Sequence, residues 1–181
     1  MKKWTWILIA LILIGLIGGA SVLYNNLSMD YAPEQMVTQP AVELASDFTV
    51  MDQDGNQVKL SDFFGKPIVL NFWASWCGPC QYEMPDFEEA YKELGEDVVF
   101  LMVNLTDGYS ETVTSARAFL EDTGYTFPVY FDIMSDGANT YQVYSIPCTY
   151  FLARNGSVVT KNIGMISGDA LRQGIDLIMA E

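Results

Sequence analysis

The sequence contains no histidine and few basic residues. Without histidine, catalysis by a serine–histidine or cysteine–histidine pair and any histidine-ligated metal site are excluded. The 9 lysines and arginines are outnumbered by 23 aspartates and glutamates, and every acidic residue lies at or after Asp30. Such an acidic surface repels nucleic acids and anionic lipid headgroups, so we expect no DNA or RNA partner.

Cysteine is also scarce, with three residues: Cys77, Cys80 and Cys148. A four-ligand zinc site would need carboxylates to replace the missing cysteines and histidines, so we predict no metal site. Half of a zinc site and a purely structural disulfide remain the alternatives for the closely spaced pair.

Charge is missing from one long segment near the start of the chain. The stretch from Trp4 to Tyr24 carries no charged residue, and about 20 apolar residues match the hydrocarbon thickness of a bilayer. Because Lys2 and Lys3 precede it, this end is expected to stay in the cytoplasm. We therefore predict a transmembrane signal-anchor at 1–24. The protein would be single-pass in the bacterial cytoplasmic membrane, with its C-terminal domain on the extracytoplasmic side.

Two features follow from this segment. The small residues Gly18-Gly19-Ala20 leave cleavage by a signal peptidase as an alternative to an uncleaved anchor. Residues 25–45 are polar and contain two prolines, which predicts a flexible linker. The folded domain is then expected at 46–181.

Strand and helix patterns alternate through the folded domain. We expect Ser110 to cap the second helix and Gly124 to end it. The alternation predicts an α/β domain with a mixed central sheet, helices on both faces and an N-terminal β-hairpin extension. The predicted elements are a hairpin over 47–60, a strand over 67–74, a helix over 78–94, a strand over 98–105, a helix over 110–123, a strand over 127–131, a helical turn over 136–143, a hairpin around Asn155-Gly156 and a helix after Ser167.

The pair Cys77-Gly78-Pro79-Cys80 follows a buried strand and begins a helix. Unpaired N–H groups and the helix dipole favour a thiolate at Cys77, and the thiolate is the attacking species in disulfide exchange. Cys80 lies one turn further in and is expected to be more buried. We predict that Cys77 is the nucleophile and Cys80 the resolving thiol.

The segment VLNFWASWCGPCQYEMP resembles the thioredoxin superfamily, and within it the membrane-anchored TlpA/ResA-type thiol-disulfide oxidoreductases. The matching features are Trp76-Cys77-Gly78-Pro79-Cys80, Pro85, Ile146-Pro147 and Gly164. The resemblance covers residues 44–181 and implies a thioredoxin-like fold. It also implies that Cys77 and Cys80 form a redox-active disulfide without a cofactor, and that Pro147 is a cis-proline.

Two positions resemble the TlpA/ResA branch in particular. Asn71 stands where thioredoxins carry a buried aspartate, and Glu83 matches an acidic residue that ResA-like proteins place beneath their cysteines. On a helix, positions three apart share a face, so Glu83 is predicted to exchange protons with Cys80. The alternative is a solvated carboxylate at Glu83 and an ordinary buried amide at Asn71.

The resemblance also implies a substrate groove. Trp76, Ile146 and the loop of Gly164 would line it beside Pro147, and a partner's extended segment would pair with the free backbone of Ile146. A rigid turn without a recognition role is the alternative.

These features predict an extracytoplasmic reductase of disulfides in exported proteins. The resemblance implies substrates with cysteine pairs, including apocytochrome c, and a membrane thiol electron donor of the CcdA/DsbD type. A disulfide oxidase is the main alternative. A thiol peroxidase is disfavoured because Leu70 and Ala74 replace the proline and the threonine or serine of peroxiredoxins. A copper chaperone of this fold would use a histidine, which the chain lacks.

The third cysteine lies in the segment SIPCTYF. Because side chains alternate along a strand, Cys148 should point away from the reactive pair and into packing. A third redox-active or regulatory thiol and intermolecular pairing are the alternatives.

Overall fold

The computed structural model describes residues 43–181, which contain a seven-stranded sheet and four α-helices. The strands are β1 (Thr49–Met51), β2 (Gln57–Lys59), β3 (Ile68–Trp73), β4 (Val99–Asn104), β5 (Val129–Phe131), β6 (Cys148–Leu152) and β7 (Val158–Ile163). The helices are α1 (Gly78–Leu94), α2 (Val113–Thr123), α3 (Asp136–Thr140) and α4 (Gly168–Met179). A 3-10 turn covers Leu60–Phe63.

The sheet has the order β2-β1-β5-β4-β3-β6-β7. Strands β3, β4 and β5 are parallel to one another, whereas β1 and β6 run antiparallel to their neighbours. Strand β3 lies between β4 and β6, and all six of its residues are buried. The predicted mixed sheet is therefore confirmed, and the end of its most buried strand leads directly into Cys77.

The two faces of the sheet are covered differently. Residues of α1, α2 and α4 pack in one cluster with Val69 and Trp73 of β3. The other face carries Leu70 and Phe72, covered by the 3-10 turn and by Tyr141 after the short helix α3. Alternation along β3 thus separates two apolar layers.

Most predicted elements are confirmed, and the start of α2 differs. The hairpin β1–β2, the helix over 78–94 and the end of α2 at Gly124 appear as expected. The expectation that Ser110 caps α2 is wrong, because Thr112 is the cap and shares a capping box with Ser115. This reciprocal pair of hydrogen bonds fixes the helix start two residues later.

The anchor predicted at 1–24 and nearly all of the linker predicted at 25–45 lie outside the described residues. Within residues 43–181, none of the helices has the length and apolar character needed to span a membrane.

Candidate functional site

Cys77 and Cys80 form a disulfide at the N-terminus of α1. Cys77 is the N-cap residue, and its Sγ accepts a hydrogen bond from the Cys80 N–H at 3.2 Å. Pro79 lies in the first turn, where a residue without an N–H is tolerated. Cys77 is 4% exposed and Cys80 is fully buried, so Cys77 is the more accessible sulfur. The same N–H groups would favour a Cys77 thiolate after reduction.

Glu83 lies on the face of α1 that is turned into the protein. It is 2% exposed, which excludes the solvated carboxylate considered from the sequence. Its Oε1 accepts a hydrogen bond from Asn71 Nδ2 at 3.0 Å, and its Oε2 accepts one from the Ile166 N–H at 2.9 Å. Asn71 also donates to Thr149 Oγ1 at 3.0 Å. The buried amide thus ties the carboxylate of α1 to strands β3 and β6.

Burial raises the pKa of Glu83 to about 7. The hydrogen bonds from Ile166 and Asn71 oppose this shift, and the nearby charge of Asp86 adds to it. A carboxyl group with such a pKa exchanges a proton readily near neutral pH. Glu83 lies three residues after Cys80 on the same helix.

The loop before β6 approaches the loop after β7. The Ile146–Pro147 peptide bond is cis. The Gly164 N–H donates to the Pro147 carbonyl at 2.8 Å, which fixes the two loops to each other. Gly164 has φ +92°, a conformation that favours glycine.

The predicted groove residues do not all line one hollow. Ile146, Pro147 and Gly164 line an open hollow of about 550 Å³ together with Gly78, Pro79, Tyr82, Ser145 and Met165. Trp76 instead lines a second hollow of about 290 Å³. Ser145 and Ile146 line both hollows, so this short segment separates two depressions on the surface.

Sequence reasoning missed three exposed side chains at these hollows. Tyr82 is 81% exposed, Met165 is 60% exposed and Tyr144 is 90% exposed. Tyr82 was detectable, because it is a large aromatic residue off the buried stripe of α1. Met165 and Tyr144 lie in loops, where no periodicity marks them.

Cys148 lies on the opposite face of the sheet from the disulfide. Its side chain packs with Leu70 and Phe72, in the apolar layer that excludes Cys77 and Cys80. Burial raises the pKa of the Cys148 thiol, which disfavours its reactive form. The predicted packing role agrees with this position.

Comparison with known proteins identifies the family. Residues 42–161 match the AhpC/TSA family. The chain belongs to this family. Among curated relatives of this AhpC/TSA member, the thioredoxin-like protein YneN of Bacillus subtilis is 32% identical over 177 residues, covering 98% of this chain and 99% of YneN. The thiol-disulfide oxidoreductase ResA of Geobacillus kaustophilus is 34% identical over 137 residues, covering 74% and 75%.

Solved structures of other proteins are similar to this chain as well. The exposed lipoprotein thioredoxin Etrx1 of Streptococcus pneumoniae has a TM-score of 0.64 and 34% identity, covering 72% of this chain and 98% of Etrx1. StoA of Bacillus subtilis has a TM-score of 0.62 and 25% identity, covering 71% and 96%. The predicted thioredoxin-like fold is confirmed, and the protein is a thiol-disulfide oxidoreductase with a Cys-x-x-Cys pair.

Proposed function

We propose that this protein reduces disulfides of exported proteins outside the cytoplasm, with Cys77 as the nucleophile and Cys80 as the resolving thiol. The observation that carries the proposal is the Cys77–Cys80 disulfide at a helix start, with the buried Glu83 three residues further along the same helix and an exposed apolar hollow beside it. This combination offers a reactive sulfur, a proton acceptor and a surface for a polypeptide.

The first step is attack on the substrate. The Cys77 thiolate attacks one sulfur of a substrate disulfide, the substrate S–S bond breaks, and its other sulfur leaves as a thiolate that takes a proton from water. A mixed disulfide now joins Cys77 to the substrate. The Cys80 N–H, which lies 3.2 Å from Cys77 Sγ in the oxidised form, favours the attacking thiolate.

The second step resolves the mixed disulfide. Cys80 loses its proton, its thiolate attacks Cys77 Sγ, and the substrate sulfur leaves with the electron pair of the broken bond. Because Cys80 is fully buried, this proton needs an internal acceptor. The Glu83 carboxylate, with a pKa of about 7, has the position and the proton affinity for that role.

The surface beside the disulfide suits an extended polypeptide. Within residues 43–181, the N–H and the carbonyl of Ile146 have no hydrogen-bond partner. A substrate segment could pair with this backbone, while its side chains occupy the hollow between Tyr82 and Met165. Trp76 and the second hollow would receive the part of the substrate on the other side of Ile146.

The proposed location rests on the apolar segment 4–24 behind Lys2 and Lys3. The similarity to a thioredoxin named as an exposed lipoprotein supports the same side of the membrane. There, re-reduction of the disulfide requires a membrane thiol donor of the CcdA/DsbD type. Apocytochrome c, with its cysteine pair, is the substrate that we propose to test first.

Trapping tests the proposal directly. In the Cys80→Ser variant, the mixed disulfide cannot be resolved, so exported proteins should accumulate on Cys77 in the native cell. Cys77→Ser/Cys80→Ser is the matched control and should trap none. If Cys80→Ser traps no partner although its Cys77 reacts with a soluble thiol reagent, the proposal is wrong.

The reduction potential tests the direction of electron flow. A reductase of exported proteins needs a potential below that of its surroundings. A value well above about −200 mV would instead support a disulfide oxidase that uses the same two cysteines.

A further inference from the structure

Glu111 is a buried carboxylate that binds Ser75, which lies two positions before Cys77. It lies in the loop between β4 and α2 and is 1% exposed. One carboxylate oxygen accepts a hydrogen bond from the Ser75 N–H, and the other accepts one from Ser75 Oγ at 3.1 Å. Both oxygens therefore contact the same residue of the reactive loop.

The loop that carries Glu111 is itself fixed. The Glu111 N–H donates to Asp107 Oδ1 at 3.0 Å, and the Glu111 carbonyl accepts from the Gly108 N–H at 2.9 Å. Ser115 Oγ, which takes part in the capping box of α2, lies 2.5 Å from Glu111 Oε1. The carboxylate thus connects the reactive loop to the start of α2.

Ser75 belongs to the short segment that presents Cys77. The Cys77 N–H donates to the Ala74 carbonyl at 3.2 Å, and Gln81 Nε2 donates to the Ser75 carbonyl at 2.5 Å. Glu111 binds the N–H and the hydroxyl of Ser75 and Gln81 binds its carbonyl, so these contacts restrain this turn. The restraint holds Cys77 at the N-cap position of α1.

Glu111 has no cation among its described partners. Its hydrogen bonds come from an N–H and two hydroxyl groups, and none of the salt bridges within residues 43–181 includes it. Arg117, on α2, donates a hydrogen bond to the Gln53 carbonyl instead, and its guanidinium lies over the Phe131 ring. A buried negative charge is weakly screened, so it acts on neighbouring groups.

We propose that Glu111 is a positioning residue for the Cys77–Cys80 pair: its contact with Ser75 fixes the reactive loop, and its negative charge lowers the reduction potential of the pair. The inference rests on the proposed exchange at Cys77. It does not depend on which protein is the substrate.

The effect on the potential follows from the balanced half-reaction. Reduction breaks the S–S bond, takes up two electrons and two protons and gives two thiols; Cys77 then releases one proton to form the thiolate. A negative charge near this thiolate makes the reduced form less favourable. The equilibrium shifts toward the disulfide, and the dithiol becomes the stronger reductant.

The test measures this equilibrium in a glutathione redox buffer at neutral pH, with the full-length chain. Glu111→Gln removes the charge but keeps an oxygen for the Ser75 N–H and an NH₂ for the hydroxyls. We expect its equilibrium constant to move about tenfold toward the dithiol, which corresponds to ~30 mV.

Ser115→Ala is the matched control. It removes one hydroxyl contact of Glu111 but leaves the charge and the contact with Ser75, so its equilibrium should stay within about twofold of the unchanged chain. A Glu111→Gln value within twofold of the unchanged chain would overturn the electrostatic role. An equal shift in Ser115→Ala would overturn it too.

A second measurement needs no variant. If Glu111 holds Ser75 in solution, the Ser75 amide hydrogen should exchange with solvent at least about 100-fold more slowly than that of Trp76, whose N–H has no partner within residues 43–181. Equal exchange rates would overturn the positioning role. Because neither measurement uses a protein substrate, failure to trap exported proteins would count against the proposed function and not against this inference.

Discussion

Glu83 and Glu88 lie five residues apart on the same helix and are both buried, yet their pKa values shift in opposite directions. Burial raises the pKa of Glu83 to about 7, and the hydrogen bonds from Ile166 and Asn71 only partly oppose it. Burial acts on Glu88 as well, but its hydrogen bonds outweigh burial, and its pKa ends below the usual value.

The two pKa shifts differ because the surrounding elements provide different hydrogen-bond donors and charges to each carboxylate. Glu88 accepts hydrogen bonds from the N–H groups of Thr126 and Phe127 and from the Thr126 hydroxyl, and Lys92 lies 3.0 Å away. Glu83 has no cation among its partners in the described part of the chain. Burial alone therefore does not make a proton-exchanging carboxyl; burial with too few donors does.

The largest expected effect is on the pH dependence of stability. The folded state penalises a charged Glu83, so this penalty is absent below pH 4.5, grows between pH 4.5 and 7, and is constant above. The glutamine of Glu83→Gln cannot ionise, so this variant lacks the penalty. We therefore expect the unfolding free energy of Glu83→Gln minus that of the unchanged chain to rise by ~3 kcal/mol from pH 4 to pH 8. Denaturant titrations at several pH values measure this difference. A flat difference would show that folding does not raise the pKa of Glu83, and it would contradict the assigned contrast with Glu88.

The next effect is on the rate at which Cys80 resolves the mixed disulfide. With no carboxylate to take the Cys80 proton, Glu83→Gln should slow release of a model substrate from the mixed disulfide about 100-fold at pH 7. Stopped-flow kinetics on a preformed mixed disulfide isolates this step. Glu88→Gln is the matched control and should keep the normal rate; a comparable loss there would remove the functional distinction between the two carboxylates.

Glu88→Gln should change stability with the opposite sign. A lowered pKa means that the charged form stabilises the fold, and this contribution is lost as the pH falls below 4.5 and through the lowered pKa. At pH 7 we expect a loss of ~1 kcal/mol, because charged hydrogen bonds become neutral ones. Thermal unfolding at pH 7 and pH 3 measures it, and an undiminished loss at pH 3 would contradict the electrostatic cause.

The smallest expected effect concerns Cys148. The thiol packs on the other face of the sheet, so Cys148→Thr should leave the resolution rate and the reduction potential within about twofold of the unchanged chain. A larger change in either quantity would show that a third group takes part in the proton and electron transfer assigned to Cys77, Cys80 and Glu83.

Much of the fold was predictable from local patterns. The helix over 78–94 has the predicted bounds, because a buried strand, a proline in the first turn and an apolar stripe all agree there. The start of α2 was not predictable from Ser110, since the choice of Thr112 depends on how the preceding loop is held. That loop is fixed by Asp107 and by the contact of Glu111 with Ser75.

The site was predictable in part. The family resemblance implies the disulfide of Cys77 and Cys80, and the buried strand before them predicts their place at a helix start. The contact between Glu83 and Asn71 joins residues 12 positions apart, and that between Glu111 and Ser75 joins residues 36 positions apart. No local pattern encodes such distances, so Glu111 looked like one of many acidic residues.

The sequence by itself determined the reactive pair, the alternation of strands and helices and the direction of Cys148, because these follow from covalent spacing and from the repeats of helix and strand. Only the tertiary structure decided which of the carboxylates became buried and which donors each one met. The sheet order brings Asn71 and the loop of Ile166 to Glu83, and the loop after β4 to Ser75. A carboxyl group's proton affinity depends on those neighbours, and neighbours distant in the chain exist only after folding.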